Sequence, residues 1–397
     1  MPIWTSSIAS FRRMSRCARG GVACAAVVGM VFVAGCSRTP EPEVERTPRS
    51  SIDADPSLTF QDVNLEQIDR SGQKRWSILA ERVTYSRNRK TAVASGLGGK
   101  LFDDGEHVYD LKASEGVLSQ NGERIVLTGE IEVLDIEDGT VFSADEVEWL
   151  PEEDRMLFEG NVSAVHEDGN LTAKSGELLE ADRVLELEGD IAIETKDPRI
   201  RLTAEKGNWQ MDEELVVAEG TAIVERYEGE GEAAKVVDRA AAETASLDLG
   251  VQLITLDGNA ELLFGQPPVS ISSDLLLWDL PGELLSSDVP LTIVNRANQV
   301  ALSGARGQFD IGEEVLELTG GVQALADGDN SRLTADNLTW FVATETFNAI
   351  GNVFYRQLDP QFTLRGPQAE GKLEAETFVV TGGNVVTEIV PDGPLGF

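Results

Sequence analysis

The chain has 397 residues, 41% of them hydrophobic, and carries 69 Asp and Glu against 33 Lys and Arg, a formal charge of −36. So acidic a surface argues against a nucleic-acid ligand. With only His107 and His166 and three Cys, the chain has neither metal-ligand spacing nor a disulfide framework.

The first segment, 1–35, reads as a lipoprotein signal peptide. Arg12, Arg13, Arg16 and Arg19 precede the apolar run Val22–Ala34, which is too short to span a bilayer comfortably. The run ends in "VAGC", where small residues before Cys36 suit cleavage by lipoprotein signal peptidase and lipidation of the thiol. Cys17 and Cys24 would leave with the leader. Loss of the four Arg would take the charge from −36 to −40. Residues 36–56 are polar and contain four Pro, as expected of a flexible tether behind an acylated Cys.

Beyond residue 57 the sequence repeats. "LTAEKGNWQMDEELVVAEGTAIV" (Leu202–Val224) and "LTADNLTWFVATETFNAIGNVFY" (Leu333–Tyr355) share Leu-Thr-Ala-acid, a Trp at offset 7 and a Gly at offset 18. The small third residue recurs ten times, at Ala80, Ala113, Ala144, Ala173, Ala204, Ala242, Ser273, Gly304, Ala335 and Gly366. The usual spacing is 31, and nine of the ten offset-18 positions are Gly. Within each unit apolar residues alternate with polar ones, as in Leu185, Leu187, Gly189, Ile191 and Ile193. Period two with wet residues between predicts strands with one dry face. A Gly on the dry parity marks a corner where the strand folds over the core. Turn sequences such as "EDGN" at 167–170 and "LPGE" at 280–283 separate the strands.

The predicted fold is therefore all-β: about ten stacked ~31-residue repeats, with Leu, Val, Phe and Trp facing inward. Ten layers give a body of roughly 50 Å, longer if each repeat supplies several strands. Residues 57–225 and 242–390 form two runs of repeats. The acidic, Gly-rich stretch 226–241 is expected as a surface loop between them, and 391–397 as a tail. The Trp at offset 7 (Trp149, Trp209, Trp278, Trp340) serves core packing or lines a ligand groove. Asp and Glu fall on the outward parity, where they keep ordinary pKa values, so no catalytic constellation is expected. A stack of this kind ends in open sheet edges that can add strands from other proteins. If its interior were unfilled it could carry hydrocarbon between those edges, although a filled core would leave the same sequence pattern.

Residues Leu58–Asp135, with "SGQKRWSILAE", "LKASEGVL" and "LTGEIEV", resemble the periplasmic domain of the LptC family, and the later units resemble OstA-like repeats of LptC and LptA. The resemblance implies an elongated bent β-jellyroll, a "β-taco", holding the acyl chains of lipopolysaccharide. It also implies an LptF/LptG-like inner-membrane ABC transporter at one edge, an LptA-like bridge protein at the other, no cofactor and no enzymatic role. Familiar members carry a transmembrane helix and are about half this length. Cys36 would replace that helix, in a periplasmic protein anchored to a membrane. The family points to the inner membrane, while Ser37 suits outer-membrane sorting in some bacteria. Candidate groove-lining residues are Leu127, Ile131, Phe158, Val162, Leu187, Ile191, Leu256, Leu318, Val322 and Val353. A structural envelope scaffold and a polysaccharide-active β-helix enzyme are the competing readings.

Overall fold

The computed structural model describes residues 58–389, apart from 70–71, 104, 120–121, 230, 298, 327–330, 359–360, 373–376 and 384. Cys36, the leader, the tether and the tail lie outside the described residues. All described residues belong to one unit, Asp53–Phe397.

The first repeats supply β1 (Leu58–Ile68), β2 (Lys74–Tyr85), β3 (Thr91–Asp103), β4 (Glu106–Ser119), β5 (Ile125–Thr128), β6 (Glu132–Asp135), β7 (Val141–Ser143) and β8 (Glu146–Leu150). The middle supplies β9 (Arg155–Val165), β10 (Gly169–Leu179), β11 (Val184–Thr195), β12 (Ile200–Gln210), β13 (Leu215–Glu228), β14 (Lys235–Asp248), β15 (Leu253–Phe264) and β16 (Val269–Asp279). The last repeats supply β17 (Leu284–Ser287), β18 (Leu291–Asn295), β19 (Val300–Gly304), β20 (Arg306–Asp310), β21 (Val315–Ala326), β22 (Ser331–Phe341), β23 (Thr346–Leu358), β24 (Gln361–Lys372), β25 (Thr377–Thr381) and β26 (Val386–Ile389).

Every pairing is antiparallel and joins neighbours along the chain, so the sheet is one long meander. Ten of the 26 segments are halves of five bent strands, β5/β6, β7/β8, β17/β18, β19/β20 and β25/β26, leaving 21 long strands. Each repeat thus contributes two strands to the ladder rather than one layer. At about 4.8 Å per strand the ladder measures roughly 95 Å along its contour. Stretch 226–241 does not interrupt it: β13 and β14 stay paired out to Glu228↔Lys235, and a short 3₁₀ turn at Gly231–Ala233 closes the hairpin.

The expected corners are present, and their chemistry is local. At every offset-18 Gly but Gly96, the Gly and the residue after it both take positive φ, as in Gly220/Thr221 (+78°, +66°) and Gly320/Gly321 (+84°, +79°). Two successive left-handed residues shift the register by one and turn the strand through the bend. The second member is most often Asn, Asp or Gly, which tolerate that conformation. Its side chain reaches the residue sixteen positions back on the preceding strand. Asn161 donates to Asp145 at 2.9 Å, Asn259 to Glu243 at 2.6 Å and Asn352 to Asp336 at 2.8 Å. Lys174 and Asp190 make the same link with the charges exchanged, at 2.8 Å. In these four repeats the fourth residue of the motif therefore clasps the corner from outside.

Folding every strand at its middle creates two facing walls. Wall one carries the turns inside each repeat, such as 211–214. Wall two carries the turns between repeats, such as 196–199. The dry faces meet between them. In β11, Leu185, Leu187, Ile191 and Ile193 are buried while Glu186 and Glu188 are exposed. Aromatic rings bridge the walls: Trp76 of wall two lies 6.3 Å from Trp149 of wall one, and Phe264 lies 5.4 Å from Phe309 and 6.3 Å from Trp278.

Candidate functional site

Among the described residues the dry faces of the two walls form a hydrophobic core cluster that runs from Trp76 to Ala369. Leu127, Ile131, Phe158, Val162, Leu187, Ile191, Leu256, Leu318, Val322 and Val353 all point into it, and none exceeds 4% exposure. The structure thus brings all ten onto one continuous surface. It also shuts that surface to water at each of them, so an unfilled trough is not what this state presents. Large inward side chains from one wall fill the spaces left by the other. The four Trp at offset 7 are buried in the same layer. Trp149 Nε1 donates to Glu180 Oε1 at 2.9 Å, whereas the indole N–H groups of Trp209 and Trp340 are buried without a partner.

Polar chemistry concentrates where the tips of the walls meet, and here outward parity misleads. Arg183, on a wall-one turn, places Nη1 2.8 Å from Asp135 and 3.4 Å from Glu137, and Nη2 3.4 Å from Asp138, all on a wall-two turn. Its Nε lies 2.6 Å from Asp212 on the adjacent wall-one turn. Asp135 is 1% exposed, so this ion pair is largely dry. Burial raises the Asp135 carboxyl pKa, while its hydrogen bond from the Glu137 amide and its pairing with Arg183 pull the other way. Burial also opposes the charge on Arg183, but Asp135 and Asp212 outweigh it and hold the guanidinium protonated.

Further along, Arg75 of wall two donates to the Pro151 carbonyl at 2.5 Å and pairs with Asp154, both on a wall-one turn. Glu180 sits beside this pair. Burial, reinforced by the negative charge of Asp154, pushes its carboxyl up to about 7 against the opposing Trp149 hydrogen bond. Burial and the charge of Asp135 raise the Tyr109 phenol likewise. Together these groups line a cavity of about 170 Å³ at the junction of the walls. A third crossing is Gln252 Nε2 donating to the Asp197 carbonyl at 3.1 Å.

None of these residues emerged from the sequence reading. The partners that cross between the walls lie 45–79 residues apart and occupy ordinary turn or strand-end positions. The two His are also less solvated than their polar surroundings suggest. Both side chains are 26% exposed, and His107 Nε2 lies 2.9 Å from Asp110 while His166 Nδ1 lies 3.3 Å from Asp168.

No strand covers either end of the ladder among the described residues. Among the described residues β1 pairs only with β2, and β25 and β26 pair only with β24. Leu58, Phe60 and Ile68 are exposed at one end, and Val379, Val385 and Val386 at the other. A buried apolar layer flanked by end strands that carry exposed apolar residues and, among the described residues, a single partner strand is what a component for end-to-end strand addition presents.

Residues 22–142 match the family described as lipopolysaccharide-assembly, LptC-related. The match covers 121 of the 397 residues, and over that segment the chain is similar to LptC-related proteins. The match runs into β7, and the ladder continues beyond it with the same corner chemistry. No curated protein matches the chain. The LptC relationship implies a component of lipopolysaccharide transport that works in the periplasm in association with a membrane. LptC is a transport family, and its relationship to this chain assigns no catalytic role.

Proposed function

We propose that the chain is a bridge subunit that receives lipopolysaccharide from an LptF/LptG-like inner-membrane ABC transporter at one edge. It passes the lipid to an LptA-like protein at the other, with the acyl chains between the walls and the sugars outside. The observation that carries this reading is the unbroken apolar interior ending at two open, apolar edges. An LptC-related segment at the N-terminal end of the ladder supports it. Cys36 would anchor the subunit to the inner membrane through its lipid, with residues 37–56 as the spacer.

One observation favours the alternative, a structural envelope scaffold: the interior residues are closed to water. Photo-crosslinking separates the two. A photoreactive residue at Leu187 or Val322 captures lipopolysaccharide in cells if the interior conducts lipid, whereas one at exposed Glu188 does not. Capture confined to Glu188, together with normal surface lipopolysaccharide after depletion, would establish the scaffold instead.

A further inference from the structure

An amphiphile with acyl chains inside and sugars outside must straddle the junction of the two walls. A junction sealed along its length blocks that cargo however apolar the interior is. The contacts at the wall tips close the junction at three places between residues 75 and 252: Arg75 to Pro151 and Asp154, Arg183 to Asp135, Glu137 and Asp138, and Gln252 to Asp197. Each joins a turn of one wall to a turn or strand end of the other. Behind them the lining positions are dry.

We infer that this row of cross-wall contacts is a latch that holds the walls together in the unloaded protein, with Arg183 as its central residue, and that loading with lipid requires its release. The inference rests on the transport reading for its purpose, but the latch itself is a property of the empty chain.

The charge arrangement makes Arg183 the centre. Among the described residues it is the one cation paired with Asp135, Glu137 and Asp138 on wall two and Asp212 on wall one. Glu180 and Asp154 lie nearby on wall one, with Asp103 and Tyr109 facing them from wall two and Arg75 between. Without the Arg183 guanidinium, Asp135, Glu137 and Asp138 on wall two and Asp212 on wall one lose the cation that pairs them, and like charges on opposite walls repel. The same cation that closes the mouth thus masks a built-in repulsion between the walls. The strand pairings of the ladder run within each wall and do not depend on the tip contacts, so a parting of the tips leaves the ladder intact.

The test uses the full-length protein in detergent with a Leu187→Cys probe, read by the rate of maleimide labelling at position 187 from peptide masses. Arg183→Ala is expected to accelerate labelling at least tenfold. Asp138→Asn, which leaves buried Asp135 paired and so keeps the fold, is expected to accelerate it severalfold. Exchanging the pair, Arg183→Asp with Asp138→Arg, returns the rate toward that of the native residues. Unchanged labelling in both single variants, with an unchanged unfolding midpoint, overturns the latch whatever the cargo is. Photo-crosslinking at Val322 with purified lipopolysaccharide then addresses the other reading separately. Faster thiol labelling without lipid capture retains the latch and removes the cargo, and capture that is equal in native and Arg183→Ala protein retains the cargo and removes the latch.

Discussion

The corners can be tested at two Gly that differ in one respect. Gly220 and Gly320 occupy equivalent places and have nearly equal φ, +78° and +84°. A Cβ at Gly220 meets nothing within 4 Å, whereas one at Gly320 lies 2.7 Å from the Cβ of Ala305. Gly220→Ala therefore incurs only the left-handed conformation, about 1–2 kcal/mol, less about 0.5 kcal/mol for a stiffer unfolded chain. Gly320→Ala adds an overlap that neither short side chain can swing away from, about 1–3 kcal/mol more. The expected costs are about 1 kcal/mol and about 3 kcal/mol. In a ladder whose layers contact only their neighbours, the loss is felt locally. Native-state hydrogen exchange in β20 and β21 should then speed up about 30-fold more for Gly320→Ala than β12 and β13 do for Gly220→Ala, since 1.4 kcal/mol is tenfold. Adding Ala305→Gly to Gly320→Ala should recover most of that difference. Equal effects at both sites, or no recovery, would refute the account of the corner as a close approach of backbones.

Three further outcomes follow from particular residues. Thr221 is a β-branched residue at φ +66°, where the other repeats place Asn161, Asn259 and Asn352. Thr221→Asn should stabilise the chain by about 1 kcal/mol, and its amide can reach Glu205 at the sixteen-residue spacing, read as a raised denaturation midpoint. Glu180 has its carboxyl raised from 4.5 to about 7 by burial, so the folded state holds the proton more tightly than the unfolded state does. Stability contributed by the neutral acid is complete below about 4.5 and is lost as pH rises to about 7, on the order of 3 kcal/mol in all. Glu180→Gln should flatten the fall in midpoint over that window, and an unchanged slope would reject the assignment. Leu318→Ala removes a fully buried side chain between the walls and should cost about 2–5 kcal/mol in denaturant unfolding, whereas Leu79→Ala, on the exposed face, should cost under about 0.5 kcal/mol.

Much of the architecture was legible because it is written in short-range patterns. Alternation at Leu185, Leu187, Ile191 and Ile193 fixes which face of β11 is dry, and the offset-18 Gly fixes where that strand bends, since only a residue without Cβ enters the left-handed region freely. Repetition carries these local rules through the whole chain and yields the ten inward candidates without any coordinates. The strand count per repeat was less clear, because the same turns suit one layer or a hairpin, and only the antiparallel register of neighbouring strands decides it. Whether the interior stands open or shut is a matter of how closely two apolar walls approach, and both states share one pattern of inward residues. The latch was invisible for a related reason. Arg183, Asp135 and Asp138 are ordinary turn residues until the bend of every strand brings tips 45–48 residues apart into contact. Local chemistry thus determines strands, faces and corners, while long-range closure alone determines which charges meet and whether the groove is sealed.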